Sequence, residues 1–266
     1  MNGFKVAKEK KYIINARLKV MKIINLMGVL FFTTLSFSQN KAIVPKSGTI
    51  AFVKKDTITD RKLYLESNAD FKPKFLKAFK EKIYFERLSD GKSTDTIQLN
   101  KKIKELSNLY DYVLNEKENG IVKYHCNYVK GKILKFIEID GQKEKEQIIN
   151  LKNNAITNAN DEYVDYYALQ TQIINLKEFR NETKVINGFK CFKVKYQYKD
   201  DSDPEFEMLS TSTRELWVTE SIKSLYHPVI NDYQILEKYY PLLIIQYSDD
   251  IKGFQTEYKL EKLTFK

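Results

Sequence analysis

The feature that most limits how this chain can fold is an alternation of apolar and polar residues in its C-terminal half. Neighbouring side chains of a strand point to opposite faces of a sheet, so apolar residues at every second position predict a strand with one buried face. In the last such segment, the residues expected to face inward are Phe254, Thr256, Tyr258 and Leu260. In the segment after Ile121, the corresponding residues are Val122, Tyr124, Cys126 and Tyr128. We therefore expect paired strands around one aromatic core.

Glycine-containing dipeptides between these segments predict tight hairpin turns. The three dipeptides are Lys130-Gly131, Asp140-Gly141 and Asn187-Gly188. The last of them joins residues 183–186 to residues 189–198. The second of these two strands is expected to bury Phe192, Val194, Tyr196 and Tyr198. Residues 142–170 show no clear pattern, and the asparagine-rich residues 153–160 indicate a loop.

The N-terminal half carries a different pattern. Residues 47–53 predict a first strand. After Asp70 and Pro73, apolar residues recur at steps of three and four over residues 73–118, which predicts two helices, with strands as the alternative because aromatic residues are frequent there. The whole pattern predicts a β-rich α+β fold. Its core would be one curved, half-barrel-like antiparallel sheet, with one or two helices near the N-terminal half.

Residues 21–38 have the order of a secretory signal peptide. Met21-Lys22 is followed by an apolar run and then by small and polar residues up to Ser38, after which cleavage is expected. A membrane anchor is the alternative, but the run is shorter than the ~20 apolar residues that span a bilayer. We expect residues 1–20 to be an upstream extension, so that residues 1–38 precede a single β-rich domain of residues 39–266 without a transmembrane span. The product would be exported to the periplasm, the outer envelope or the medium.

The formal net charge of +10 does not indicate a nucleic-acid-binding protein. Residues 1–38 contain seven basic residues and one acidic residue, which leaves 38 basic and 34 acidic residues in the remainder, a net charge of +4. Lysines and glutamates alternate along that remainder, as they do on ordinary solvated faces.

Three segments together resemble the GLPGLI family, which comprises secreted proteins of the Bacteroidota. They are residues 187–191 (NGFKC), 215–222 (ELWVTESI) and 241–244 (PLLI), and the resemblance covers residues 183–265. It implies a β-rich protein that is secreted or associated with the cell envelope, and it supplies no catalytic residues. The chain departs from the family motif at Tyr239 and Leu242, where the family has glycines that permit a positive φ or a close backbone approach.

The histidines and cysteines do not form a recognisable catalytic or metal site. His125 and Cys126 are neighbours on one strand, so their side chains point to opposite faces and a nucleophile–base pair is not expected. His227 precedes Pro228, which predicts an extended turn. Cys126 and Cys191 fall on different faces of their strands, which favours two free thiols, although an exported protein often pairs such residues in a disulfide.

The other candidates have ordinary structural explanations as well. Alternate oxygen donors at Asp200, Asp201, Asp203 and Glu205 suggest a cation site, but a solvated turn is favoured because the glycine and distal glutamate of a calcium loop are missing. Two tripeptides match the Asp-Thr-aliphatic pattern that Bacteroidota O-glycosylate on exported proteins, a pattern that also arises by chance: residues 56–58 (DTI) and 95–97 (DTI). Trp217 is expected either in the core or beside an apolar ligand.

The sequence therefore assigns no catalytic residue, cofactor-binding residue or metal ligand. We expect a non-enzymatic exported protein that binds either another envelope protein or an apolar, lipid-like ligand. The alternatives are a structural surface component and a hydrolase with an unrecognised site.

Overall fold

The computed structural model describes residues 42–91, 95–115, 120–153, 155–157, 163–165, 172–199 and 211–266. Residues Ala42–Lys266 form one compact unit. The predicted upstream extension, the signal peptide and the acidic turn at residues 200–205 lie outside the described residues. None of the described helices is long and apolar enough to cross a membrane.

In the described residues, eleven strands form one antiparallel sheet with the order β6-β5-β4-β3-β2-β1-β11-β10-β9-β8-β7. The strands are β1 (Gly48–Ile58), β2 (Val122–Val129), β3 (Lys132–Ile139), β4 (Gln142–Asn150), β5 (Ala155–Thr157), β6 (Tyr163–Asp165), β7 (Gln172–Ile186), β8 (Phe189–Lys199), β9 (Thr211–Thr219), β10 (Tyr240–Ser248) and β11 (Phe254–Leu263). β1 lies in the middle, between β2 and β11, and joins the N-terminal and C-terminal halves of the sheet. This architecture confirms the predicted β-rich fold with one curved antiparallel sheet.

The predicted hairpins are confirmed. β2 and β3 pair across Lys130-Gly131, and β7 and β8 pair across Asn187-Gly188. The φ angles of Asn187 and Gly188 are 52° and 84°, as a two-residue turn that matches the strand twist requires. Register shifts interrupt the β1–β11, β3–β4, β7–β8 and β9–β10 pairs. Such bulges bend strands and increase their twist, which is consistent with the curvature of the sheet.

Residues 142–170, which show no clear sequence pattern, contain β4, β5 and β6. β4 begins with six polar residues, 142–147, and among its described side chains only Ile149 is fully buried, so its sequence shows no alternation. The loop expected at residues 153–160 contains β5, which pairs with β4 and β6. These strands form through backbone hydrogen bonds to a neighbour, a signal that single-sequence periodicity does not carry.

The part of the chain that the structure describes also contains two long helices and one short one: α1 (Arg61–Ser89), α2 (Thr96–Asn115) and α3 (Tyr233–Leu236). The prediction of two helices is confirmed by the described part of residues 73–118, but the expected start at Pro73 is wrong, because Pro73 lies inside α1. The Asp60 carboxylate accepts the Leu63 N–H at 3.0 Å and caps the helix twelve residues earlier. The backbone carbonyl of Gly253 accepts the N–H groups of Thr59 and Asp60, which fixes the chain at this cap.

The core consists of two adjoining clusters of buried side chains. The β8 residues predicted to share an apolar face, Phe192, Val194, Tyr196 and Tyr198, are all buried. Tyr258 and Val229 pack against both clusters, so the sheet has one continuous aromatic interior. Each fully buried large side chain stabilises the fold by about 1.5–3 kcal/mol relative to exposure.

Trp217 is only partly buried, which corrects the expectation of a core position. Its neighbours Leu216 and Val218 are fully buried, so alternation along β9 turns the indole to the opposite face. There the Lys184 ammonium lies 3.9 Å from the ring centroid. The indole packs at the edge of the first cluster and does not border the pocket described below.

Candidate ligand pocket

Residues 220–239, here called the crossing segment, connect β9 to β10 and pack against the sheet. Its side chains pack inward to a degree that the sequence of a loop does not predict: Ile222, Ile230 and Ile235 are each at most 1% exposed. At its start, the Ile43 N–H donates to the Ser221 carbonyl at 2.8 Å, and the Lys223 N–H donates to the Ile43 carbonyl at 2.9 Å. The crossing segment is therefore a fixed layer over the sheet.

A buried ion pair holds the other end of the crossing segment. The Arg214 guanidinium on β9 lies 2.8 Å from the Asp232 carboxylate, and the Tyr196 hydroxyl donates to the same carboxylate at 2.5 Å. Asp232 is fully buried, and the side chain of Arg214 is 12% exposed. Arg214 also lies over the ring of Tyr198 at 4.1 Å. These contacts compensate the cost of burying the carboxylate and dock the segment before α3.

Between the crossing segment and the β2–β4 side of the sheet lies a pocket of about 390 Å³, here called the ligand pocket. Most of its lining is apolar, and it reaches the size range of small-molecule sites. Its walls come from four separate parts of the chain: Val44 and Pro45, Tyr128 on β2, Leu151 after β4, and residues 223–226 with Leu236 and Glu237. Val44 and Leu151 are 61% and 37% exposed, so apolar surface continues to solvent.

The polar groups of the ligand pocket are mostly satisfied by the protein itself. The Tyr128 hydroxyl donates to the Tyr226 carbonyl at 2.9 Å and lies 2.7 Å from the Ser224 hydroxyl. Tyr240 donates to the same carbonyl at 3.2 Å. Burial raises the pKa of Tyr128 far above its usual value, so this phenol stays neutral. The pocket therefore offers apolar surface and neutral hydroxyls, with the exposed Lys223 and Glu237 among its lining residues.

Ser224 has no neighbouring histidine that would activate it as a nucleophile. Its hydroxyl contacts are Tyr128 and the backbone of Tyr226. His227 follows closely in sequence, but both of its ring nitrogens are bound to backbone groups. Nδ1 accepts the N–H groups of Val229 and Ile230 at 3.1 and 3.3 Å, so Nε2 carries the proton and donates to the Pro241 carbonyl at 3.1 Å.

His227 is therefore a structural residue of the core. It is fully buried, and the rings of Phe52 and Tyr240 lie 4.7 and 5.1 Å from its own. Burial lowers the pKa of His227 to about 3, because an imidazolium in this position would lose its hydration. An extended turn is expected at His227-Pro228. At this position the imidazole points into the core and binds the backbone of the crossing segment and of β10.

His125 and Cys126 face opposite sides of β2, as the strand pattern predicts. Cys126 is fully buried, whereas the His125 side chain is 13% exposed and stacks on Phe136 with ring centroids 4.5 Å apart. His125 Nε2 lies 3.5 Å from a carboxylate oxygen of Glu138. Burial lowers the pKa of His125, so the ring is neutral near pH 7. His125 is therefore an ordinary strand residue, and the Cys126 thiol does not lie beside its ring.

Both cysteines are free, which agrees with the favoured interpretation, but the reason given for Cys191 is wrong. The alternation of β8 predicts Cys191 on the polar face of that strand, whereas its side chain is fully buried. Ile186, Phe189 and Trp217 pack against the cluster that contains Cys191, so both faces of this part of β8 are covered. Burial raises the pKa of Cys126 to about 12 and that of Cys191 to about 11, so neither thiol is a reactive thiolate at neutral pH.

A second pocket, of about 290 Å³, has a more polar lining and includes Cys191 and Arg180. The Arg180 guanidinium already donates to Glu178 at 2.6 Å and to Glu220 at 3.1 Å. With a protonated thiol and a paired cation, this pocket lacks an activated group for catalysis. Within the described parts of the chain, no three His, Cys, Asp or Glu side chains are grouped to bind a metal ion.

The two Asp-Thr-Ile tripeptides differ in accessibility. Thr57 is partly buried in β1, where it pairs with Gln255 of β11. Thr96 is exposed at the first residue of α2, where the Asp95 carboxylate accepts the Ile97 N–H at 2.9 Å. Only the second tripeptide presents its threonine to solvent, and its modification stays a prediction.

No protein-family model matches the chain, and no curated protein matches it. Two solved structures are distantly similar. The lipoprotein LppX of Mycobacterium tuberculosis has a TM-score of 0.30 and 8% identity, over 83% of this chain and 90% of LppX. LprF from Mycobacterium bovis has a TM-score of 0.25 and 11% identity, over 55% of this chain and 80% of LprF. Similarity this distant does not assign a function, and the resemblance to the GLPGLI family stays a prediction.

The two positions that depart from the GLPGLI motif are filled by buried side chains. Tyr239 is 4% exposed and Leu242 is fully buried, and neither residue has a positive φ. The Tyr239 hydroxyl donates to Glu178 on β7. In this chain the segment therefore needs no glycine, because larger side chains fill the space beside β10.

Proposed function

We propose that this protein is an exported, non-enzymatic binding protein that takes a small apolar, lipid-like ligand into the ligand pocket. The observation that carries the proposal is a mostly apolar pocket of about 390 Å³ with exposed apolar side chains among its walls. Apolar concave surface in contact with water is the usual form of a small-molecule site. The signal-like residues 21–38 and the GLPGLI resemblance support export to the cell envelope.

The lining favours an amphipathic ligand over a purely hydrocarbon one. Val44, Pro45 and Leu151 would contact an apolar chain, while Lys223 and Glu237 are exposed and available to a polar end group. The Tyr128 and Ser224 hydroxyls are bound to each other and to the backbone, so the inner wall has little capacity to bind a charged group. We therefore expect binding to depend mainly on buried apolar area.

Leu151→Trp tests the proposal, because an indole at this position would fill the pocket from its exposed wall. Val185→Trp is the matched control. Val185 is 71% exposed on β7, the edge strand at the opposite end of the strand order from β4. Binding of a fluorescent fatty-acid analogue to residues 39–266 is measured by titration, and native mass spectrometry of protein purified from the envelope detects retained lipid.

We expect saturable binding by the unchanged protein and by Val185→Trp, with affinity reduced at least about tenfold in Leu151→Trp. Equal binding by all three proteins would place the probe elsewhere and contradict the assignment of the pocket. The absence of both probe binding and retained lipid would contradict ligand binding itself.

A further inference from the structure

The helical hairpin formed by α1 and α2 exposes apolar side chains at the end that lies away from the sheet. Lys72 pairs with Asp111, and Arg87 contacts Gln98 at 3.4 Å, so the two helices run antiparallel. The buried residues of α1 are Tyr64, Ser67 and Asn68, all near its start. The opposite end, here called the hairpin tip, comprises residues 80–91 and 95–104. We propose that the hairpin tip binds the surface of an anionic lipid membrane.

The first observation is the exposure of large apolar side chains at the hairpin tip. Phe85 is 65% exposed, Leu88 is 58% exposed and Ile97 is 80% exposed. Tyr84 is 41% exposed, and its ring lies 5.9 Å from that of Phe85 in an edge-to-face arrangement. Tyr84, Phe85 and Leu88 are adjacent or three or four residues apart, so they share one side of α1 near its end.

The second observation is the position of lysines one turn behind these apolar residues on both helices. On α1, Lys80 precedes Tyr84 by four residues, and on α2, Lys101 follows Ile97 by four. One helical turn rises 5.4 Å, which places an ammonium group at about headgroup depth when the apolar end enters the lipid by ~5–10 Å. Lysine side chains reach outward readily to keep their charge in the polar layer.

The third observation is the charge of this end of the hairpin. Residues 80–91 and 95–104 contain six basic and four acidic side chains, a net charge of +2. Glu81 and Glu86 already pair with lysines four residues earlier, at 3.9 and 3.8 Å. Lys101 and Lys102 are exposed beside the apolar side chains. The positive field attracts an anionic bilayer and opposes association with a second copy of the same surface.

The shape of the surface also favours lipid. The exposed residues lie at a projecting helix end and not in a groove, and a fluid lipid surface adapts to such an end without a complementary pocket. The proposal does not depend on the ligand pocket, which is lined by the crossing segment and the β2–β4 region. Membrane binding through the hairpin tip would bring the protein into contact with the lipid surface that supplies or receives an amphipathic ligand.

Vesicle sedimentation of residues 39–266 tests the proposal. This part contains the compact unit Ala42–Lys266 and omits the apolar leader, which would itself bind lipid. The vesicles are pure phosphatidylcholine, or phosphatidylcholine and phosphatidylglycerol in equal parts. The variants are Phe85→Ser with Leu88→Ser, and Lys101→Glu with Lys102→Glu. Val185→Ser, which removes an equally exposed apolar side chain from the sheet edge, is the matched control.

We expect the unchanged protein and the control to bind the phosphatidylglycerol vesicles and to bind phosphatidylcholine at least about tenfold more weakly. Each double variant should bind the anionic vesicles at least about tenfold more weakly than the unchanged protein while keeping its circular dichroism spectrum and Tm. Equal binding to both vesicle types, or undiminished binding by the Phe85/Leu88 variant, would overturn the proposal. The proposal would also be overturned if the unchanged protein bound neither type of vesicle. A dimer seen by sedimentation velocity and dissociated by the Phe85/Leu88 variant would then show that the hairpin tip binds a second copy of the chain.

Discussion

At the scale of single residues, the crossing segment shows how polar side chains are used inside an aromatic core. Both ring nitrogens of His227 form hydrogen bonds with backbone groups, and the Asp232 carboxylate binds both the Arg214 guanidinium and the Tyr196 hydroxyl. Both residues dock the connection between β9 and β10 against the sheet. Both residues therefore have a structural role. The stability of the fold should depend on the protonation of His227 and on the negative charge of Asp232.

His227→Asn should make the stability less dependent on pH. The unfolded chain protonates this imidazole near pH 6.5, whereas the folded protein does so only near pH 3. Between these values the unfolded state binds the extra proton, so the free energy of unfolding falls by up to about 1.4 kcal/mol per unit decrease in pH. Urea unfolding at several pH values between 7 and about 4.5 should give a steeper decline for the unchanged protein. Identical slopes would contradict the buried neutral imidazole.

Asp232→Asn should strongly destabilise the protein, because it leaves the Arg214 guanidinium buried without its carboxylate. The expected loss is about 3–5 kcal/mol in the free energy of unfolding, measured by urea denaturation. Glu220→Gln is the matched control, because the Arg180–Glu220 pair has both side chains more than half exposed. Its loss should stay below about 1 kcal/mol. Similar losses in the two variants would show that the Asp232 pair is effectively solvated.

At the scale of elements, the start of α1 is set by a turn from the other end of the chain. Gly253, between β10 and β11, has a φ of 70° and accepts two N–H groups from the residues at the helix cap. A Cβ atom at this position would lie 2.3 Å from the Asp60 carbonyl oxygen. The helix therefore begins where Gly253 lets the two backbones approach, and Pro73 is accommodated farther along.

Gly253→Ala should cost more stability than Gly188→Ala, although both glycines have a positive φ. At Gly188 a Cβ meets nothing within 4 Å, so the cost is the conformational strain alone, about 1–2 kcal/mol. At Gly253 the overlap with the Asp60 backbone adds about 1–3 kcal/mol. Differential scanning calorimetry of both variants measures the difference. Equal losses would mean that the turn moves away from α1 without cost.

At the scale of the whole molecule, one sheet carries both core clusters, and Val229 and Tyr258 pack against each of them. Separate unfolding of the two halves of the sheet would expose this shared interior. β1 and β11, at the middle of the sheet, also tie the N-terminal strands to the C-terminal ones. The strands should therefore behave as one cooperative unit.

We expect a single unfolding transition of the sheet in urea. Trp217, on β9, reports the C-terminal half through its fluorescence, and circular dichroism in the strand region reports all strands. The two midpoints should coincide, because neither half can keep its core without the other. A fluorescence transition well separated from the strand transition would contradict this cooperativity and indicate two independently folding halves.

Local patterns in the sequence predicted the strands whose side chains alternate, the hairpin turns at glycine and, with strands as the alternative, the two helices. They did so because these properties depend on neighbours a few residues apart, as at Phe192–Tyr198 and Asn187-Gly188. The sequence pattern did not predict β4, because this strand, rich in charged residues, forms through backbone hydrogen bonds to β3. It also misplaced Cys191, since the side chains that cover this residue come from other strands and are not visible in its own alternation.

The ligand pocket was decided only by the tertiary structure. Val44, Tyr128, Leu151 and Leu236 lie in four distant parts of the chain, and none of them stands out in a local pattern. They meet because the crossing segment is fixed over the sheet by Asp232, His227 and the Ile43 backbone. Local periodicity records which face of an element is apolar, whereas a cavity depends on where separate elements fail to fill the space between them.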